Sequence, residues 1–286
     1  MKRVRMFRVL PTLLTLGNAV CGFGAITFAA KVGPETLEKR DLFTAAILIF
    51  LAMLFDMLDG RAARWAKHTT DFGAQLDSLC DAVSFGIAPA FLMLQFMRPD
   101  PGTGVARLPF DYPPRLLWVI AALFAVCVLL RLARFNVETG EEDTHEDFSG
   151  LPSPAAAGTV ASFPIPLHGL RNLVEEADTF SHQLATWLIP VVRISLPIVT
   201  LAVACLMVSR IRYPHVFNQL FRGRKPRQHL IQIVFTAAVV FVVKEMAVPL
   251  IFCYYAFAAP LKALWKEVTA GRFGGRGLHK TPMPKE

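Results

Sequence analysis

Four aspartates lie close together in apolar sequence, where a charged side chain is costly and marks a functional candidate. Asp56 and Asp59 are three residues apart, and Asp77 and Asp81 are four apart. On a helix, each of these spacings places both side chains on one face. Four facing carboxylates repel one another, and hard cations such as Mg²⁺ or Mn²⁺ relieve that repulsion while leaving positions for phosphate oxygens. The pattern therefore predicts a metal-dependent phosphate site.

Two glycines and an arginine accompany the aspartates. Gly60 follows Asp59 directly, and Gly73 lies one turn before Asp77. A glycine clears space for a ligand beside the acidic groups, at some loss of helix stability. Arg64 would offer a fork of donors to the same phosphates. The alternative is that the aspartates cap helix ends at the membrane interface and pair with the basic residues at 61–67.

The composition is that of an integral membrane protein. Of the 286 residues, 54% are hydrophobic before glycine is counted, and the mean hydropathy is +0.45. Soluble domains reach about 45–50% with glycine included, so a soluble enzyme or a disordered chain is excluded. We predict an all-α fold of about eight transmembrane helices, at 10–31, 42–60, 72–97, 116–135, 152–170, 186–208, 229–244 and 246–263. Residues 229–264 form either two spans or one long kinked helix.

The distribution of charge predicts how the chain is oriented. The net charge is +8, and 21 of the 30 lysines and arginines fall in segments that lie on one side if both termini do. Basic residues gather on the cytoplasmic side, beside anionic lipid, so we predict an N-in, C-in topology and no nucleic-acid partner. Residues 1–264 would form one polytopic catalytic domain, and 265–286 a basic cytoplasmic tail. The five cysteines show no metal-site or disulfide spacing and are expected to be reduced packing residues.

The run D-x₂-D-G-x₂-A-R-x₈-G-x₃-D-x₃-D at 56–81 resembles the signature of the CDP-alcohol phosphotransferase family at every specified position. The flanking stretches 11–23, 77–90, 130–137 and 148–154 resemble the phosphatidylserine synthase branch of that family. The resemblance covers about residues 8–165. It implies the family's helical membrane fold, with an active site that opens to the cytoplasmic side. We expect the membrane to be a bacterial inner membrane. By analogy, it also suggests a homodimer.

The resemblance also implies a reaction. A serine hydroxyl would attack the phosphorus that bears diacylglycerol in CDP-diacylglycerol, giving phosphatidylserine and CMP. Asp56, Asp59 and Asp77 would hold one or two Mg²⁺ or Mn²⁺ ions, with Asp81 also near the metal and acting as the general base. The residues implied to bind the CDP-lipid are Gly60, Ala63, Arg64, Thr70 and Gly73.

Selection of the acceptor alcohol must come from other residues. Serine carries a carboxylate and an ammonium group, so its pocket should supply a cation and an acceptor. Arg131 and Arg134 are the cationic candidates, although both could instead be lipid-facing anchors. Ser84 lies three residues past Asp81 and could touch the acceptor or simply pack. Asn136 and Asn18 could bind substrate or cap helix ends.

Three other functions share part of this pattern. A sister transferase that uses glycerol 3-phosphate or inositol phosphate would keep the same signature. An intramembrane prenyltransferase also binds a diphosphate through aspartates and Mg²⁺, but it lacks the D-G-x₂-A-R element. A divalent-cation transporter would explain the aspartates, whereas Arg64 beside its path would repel the ion.

Overall fold

A computed structural model describes residues 2–31, 40–66, 71–98, 112–138, 150–166, 179–209, 211, 213 and 246–273. Every regular element in these ranges is helical, as predicted. The helices are α1 (Lys2–Ala30), α2 (Arg40–Ala66), α3 (Asp71–Asp81), a π-helical segment (Ala82–Ile87), α4 (Ala88–Phe96), α5 (Pro114–Glu138), α6 (Ser153–Ala161), α7 (Thr179–Val208) and α8 (Ala247–Phe273).

Five helical stretches are long and apolar enough to cross a bilayer, which confirms an integral membrane protein. They are Leu10–Ala30, Asp41–Ala62, Phe72–Phe96, Pro114–Val137 and Trp187–Val208, and a shorter apolar helix covers Ala247–Lys262. The predicted span at 229–244 lies outside the described residues. The total of eight spans and the N-in, C-in orientation therefore stay predictions.

The span formed by α3, the π-helical segment and α4 is the centre of the bundle. About two thirds of its most apolar window is buried by protein, against 28–39% for the other four spans. Helices α1, α2, α5 and α6 all contact it. A central span keeps its polar residues away from lipid, which allows two aspartates to lie within it.

Helices α1 and α2 form the most extensive helix pair. Both helices carry small side chains with almost no exposed surface, Ala25 and Ala29 on α1 and Ala45, Ala46 and Ala52 on α2. Lipid tails are as apolar as leucine, so membrane helices associate mainly through close van der Waals packing, which small residues permit. This packing holds α1 against the helices that carry the aspartates.

The predicted span at 152–170 contains a break. Helix α6 ends at Ala161 after nine residues, a turn at 162–163 follows, and residues 164–166 are helical again, while 167–170 lie outside the described residues. Pro164 has no N–H and disfavours helical geometry in the residue before it, which explains the break. The Ser162 hydroxyl donates to the carbonyl of Thr159 at 2.6 Å and so pairs one of the carbonyls at the helix end.

A tight connection sets where α6 begins. Gly150 has φ +92°, a conformation that other residues rarely adopt. Its N–H donates to the carbonyl of Ile211 at 2.9 Å, and the N–H of Leu151 donates to that of Leu206 at 3.1 Å. These bonds fasten the start of α6 to the end of α7.

Candidate active site

Three of the four predicted carboxylates come together. Asp56, Asp59 and Asp77 each offer an oxygen, and the three oxygens lie within 4.8 Å of one another. Asp59 is buried, at 5% exposure, and the other two are half-buried. Oxygens on one Mg²⁺, which binds at about 2.0–2.1 Å, lie roughly 3–4 Å apart, so small side-chain movements would bring all three onto one ion. Asp59 Oδ2 and Asp77 Oδ1 are buried and have no hydrogen-bond partner within the described ranges. Acceptor-only oxygens left unpaired in this way suit a divalent metal.

Asp81 lies one turn further into the membrane and is not a member of this three-carboxylate cluster. It is 7% exposed, and its Oδ1 accepts a hydrogen bond from Asn18 Nδ2 at 2.8 Å. Its charge is close enough to interact with those of the other three aspartates. The four aspartates thus form two groups: the three-carboxylate cluster of Asp56, Asp59 and Asp77, and Asp81, which is held by the Asn18 amide.

One face of α1 packs along both acidic groups. Thr15, Asn18 and Gly22 are spaced three and four residues apart and so share this face. The Thr15 side chain lies beside Asp59, and Asn18 reaches Asp81. Asn18 appeared in the sequence only as a substrate contact or cap, and Thr15 and Gly22 were missed. The available signal was polar and small residues at helical spacing on an apolar helix.

Ser84 and Asn136, both predicted to contact serine, already have protein partners. The Ser84 hydroxyl is fully buried and donates to the backbone carbonyl of Asn18 at 2.9 Å. The Asn136 side chain exchanges hydrogen bonds with Ser78 at 3.0 and 3.1 Å, which ties α5 to α3. Both residues therefore support the site through the helices they join.

Arg131 lies within electrostatic range of Asp81. Its Nη1 donates to Ser153 Oγ at 2.9 Å, and its guanidinium interacts with the charge of Asp81. Its Nε is buried and has no partner among the residues that the structure describes. Arg134, three residues on, is exposed. Of the two predicted cations, only Arg131 thus combines partial burial with proximity to Asp81.

The structure describes only part of the predicted nucleotide contacts. Gly60 is exposed, and a side chain built on it would meet nothing within 4 Å, so one side of α2 is open beside Asp59. Gly73 is half-buried on α3, one turn before Asp77. The backbones of Ala63 and Arg64 belong to α2. Thr70 lies outside the described residues.

The fold and the carboxylates define an integral membrane enzyme that works on a phosphate-containing substrate. The chain belongs to the CDP-alcohol phosphatidyltransferase family, whose model matches residues 8–258. This membership confirms the family assigned from the 56–81 signature.

Three relatives are similar to the chain. It is 34% identical over 217 residues to the archaetidylserine synthase of Methanothermobacter thermautotrophicus, covering 75% of this chain and 73% of that protein. It is 31% identical over 207 residues to the CDP-diacylglycerol–serine O-phosphatidyltransferase of Bacillus subtilis, covering 72% and 90%. The enzyme of that name from Mycobacterium bovis is 36% identical over 154 residues, with coverage of 52% and 46%. The chain therefore matches about half the length of the mycobacterial relative.

Proposed function

We propose that this protein transfers the phosphatidyl group from CDP-diacylglycerol to L-serine, producing phosphatidylserine and CMP. The observation that carries the proposal is a cluster of three carboxylates beside a separately held fourth, with a cation near the fourth. The three carboxylates suit a metal-bound diphosphate substrate, the separate carboxylate suits a base, and the cation suits an acceptor that carries a carboxylate. The names of the relatives support serine as the acceptor.

Asp56, Asp59 and Asp77 would hold one or two Mg²⁺ or Mn²⁺ ions. When bound, a divalent metal neutralises the diphosphate and stabilises the departing CMP. Among the contacts implied by the family resemblance, Arg64 and Thr70 would bind the diphosphate and nucleotide. Gly60, Ala63 and Gly73 would leave room for the CMP moiety. The open space at Gly60 supports this role for that residue.

Asp81 would be the general base. A serine hydroxyl is a weak nucleophile at neutral pH, so a positioned base must accept its proton as the new bond forms. The serine oxygen forms a bond to the phosphorus that bears diacylglycerol, the bond from that phosphorus to CMP breaks, and the proton moves to Asp81. Because Asn18 occupies Oδ1, the other oxygen would receive the proton. A contact of Asp81 with the metal remains part of the proposal.

Arg131 would bind the serine carboxylate. Arginine forms a bidentate pair with a carboxylate, and Arg131 lies within electrostatic range of Asp81, which supports an acceptor site near both residues. Arg134, Ser84 and Asn136 are the other proposed contacts. The hydrogen bonds of Ser84 and Asn136 to protein favour Arg131 as the leading one. A glycerol 3-phosphate acceptor would also suit an arginine, so the acceptor must be tested directly.

The remaining predictions complete the proposal. The active site would face the cytoplasmic side of a bacterial inner membrane, with both termini inside. Residues 1–264 would form the catalytic domain, 265–286 a basic tail, and two copies a homodimer. The excess of lysine and arginine in the predicted inside segments supports the orientation.

The test is CMP release by the purified protein with CDP-diacylglycerol and Mg²⁺ or Mn²⁺. Serine, glycerol 3-phosphate and inositol phosphate are offered separately, and release with serine alone is expected. Asp81→Asn should abolish release while CDP-lipid binding persists. Asp41→Asn, at the far end of α2, is the matched control and should behave as wild type. Release with another acceptor alone would reject serine, and no release with any acceptor would reject the transferase.

A further inference from the structure

Asn18 is a buried polar residue that takes no part in the bond changes of the proposed reaction. Its side chain is fully buried, and its Nδ2 donates to Asp81 Oδ1, 63 residues away in the chain, at 2.8 Å. A carboxylate only accepts hydrogen bonds, so the NH₂ group of the amide must face Asp81 and the amide oxygen must face away. That oxygen, Oδ1, has no hydrogen-bond partner within the part of the chain that the structure describes.

The unpaired oxygen shows what determines the orientation of Asn18. A buried polar group without a partner is costly, so an amide with a purely structural role is expected to pair at both ends. Within the described ranges, the Asn18 side chain pairs at one end only, and that end is Asp81. The contact with Asp81 therefore fixes the amide.

The backbone of Asn18 is also held firmly. The Ser84 hydroxyl donates to the Asn18 carbonyl at 2.9 Å. One turn further along α1, a Cβ on Gly22 would come within 2.7 Å of Ser84 Cα, so α1 lies against the π-helical segment with no room between them. These two contacts place the Asn18 amide at a fixed height beside Asp81.

We propose that Asn18 is a positioning residue that holds Asp81 Oδ1 and thereby directs Oδ2 at the hydroxyl of the acceptor alcohol. The inference rests on the proposed role of Asp81 as the base. Asn18 gives up no atom in the reaction: the hydroxyl proton moves to Asp81 as the oxygen–phosphorus bond forms and the bond to CMP breaks. Its effect is to keep one carboxylate oxygen in the orientation that proton transfer requires.

The experiment compares Asn18→Leu and Asn18→Asp in the full-length protein, using CMP release with CDP-diacylglycerol, serine and Mg²⁺. Both replacements are similar in size to asparagine, but leucine has no donor, and an aspartate donates to Asp81 only when it is itself protonated. We expect kcat to fall about 10- to 100-fold, the loss typical of a small misplacement of a reacting group. The KM for CDP-diacylglycerol should stay within about twofold, because Asn18 does not touch the three-carboxylate cluster. Asn18→Asp should be at least as slow as Asn18→Leu, since it places a second carboxylate against Asp81.

Gln95→Leu is the matched control. Gln95 is also a buried amide whose oxygen has no partner among the described residues, and it lies on the span that carries Asp81, about 20 Å beyond that aspartate. It should keep the wild-type kcat and KM. An Asn18→Leu protein with wild-type kcat would overturn the inference, as would a loss of kcat matched by an equal rise in the KM for CDP-diacylglycerol. If Asp81→Asn retains turnover, the proposed base itself fails. An inactive Asp81→Asn protein beside a fully active Asn18→Leu protein would reject the positioning role alone.

Discussion

Gly22→Ala tests whether the contact between α1 and the π-helical segment controls catalysis. The new Cβ would lie 2.7 Å from Ser84 Cα and 2.9 Å from Ser84 Cβ. Carbon atoms in ordinary contact are about 3.5–4.0 Å apart, so the two helices must separate by roughly 0.8 Å or more. Overpacking of this kind costs about 1–3 kcal/mol. The shift would also weaken the 2.9 Å bond from Ser84 to Asn18 and move Asn18 relative to Asp81.

We expect Gly22→Ala to reduce kcat for CMP release about 100-fold, since a displacement near 1 Å can have that effect. Its thermal unfolding in detergent should begin at a lower temperature than that of the wild type. Gly17→Ala is the control on the same helix, because its Cβ would meet the Phe55 ring at an ordinary 3.6 Å. If Gly22→Ala is as active as Gly17→Ala, the close contact does not position the site and the reasoning is wrong.

Three further variants test separate parts of the structure. Asp77→Asn should raise the Mg²⁺ concentration needed for half-maximal CMP release at least tenfold, because it weakens one of the three predicted metal ligands. An unchanged Mg²⁺ titration would contradict a metal-binding role for the cluster. Gly60→Ala should raise thermal stability slightly, since alanine favours a helix over glycine by about 0.5–1 kcal/mol and its Cβ meets no described atom within 4 Å, but it should raise the KM for CDP-diacylglycerol severalfold. Gly150→Ala should destabilise the fold by about 1–3 kcal/mol, because it forces φ +92° on alanine and crowds the Met207 carbonyl; a wild-type melting curve would count against this.

Much of the fold could be predicted because membrane helices leave a local signal. The apolar runs gave the five long spans within a few residues, since a span must be long and apolar wherever it lies in the bundle. The run at 152–170 was mainly apolar and without Asp, Glu, Lys or Arg, yet it contains a helix break before Pro164. Hydropathy could not reveal that break, because both a buried short helix and a full span are apolar.

The candidate site was also predictable only in part. Asp56 and Asp59 share a face of α2 because helix geometry fixes spacings of three and four residues, and the sequence alone determines this. The sequence also determined that such a cluster in a membrane needs counter-charge. It could not separate Asp81 from the other three, because that depends on α1 packing against the acidic helices.

Only the tertiary structure decided which residues surround Asp81. Asn18 is 63 residues from Asp81, and Arg131 is 22 residues from the serine that anchors it, so no local spacing links these partners. The sequence treated Arg131 and Arg134 as equivalent, whereas the packing of α5 against the bundle turns one inwards and leaves the other exposed. Contacts within one helix follow from its 3.6-residue repeat. Contacts between helices depend on which helix faces pack together. At this site, the close fit of Gly22 against Ser84 determines which face of α1 lies against the π-helical segment.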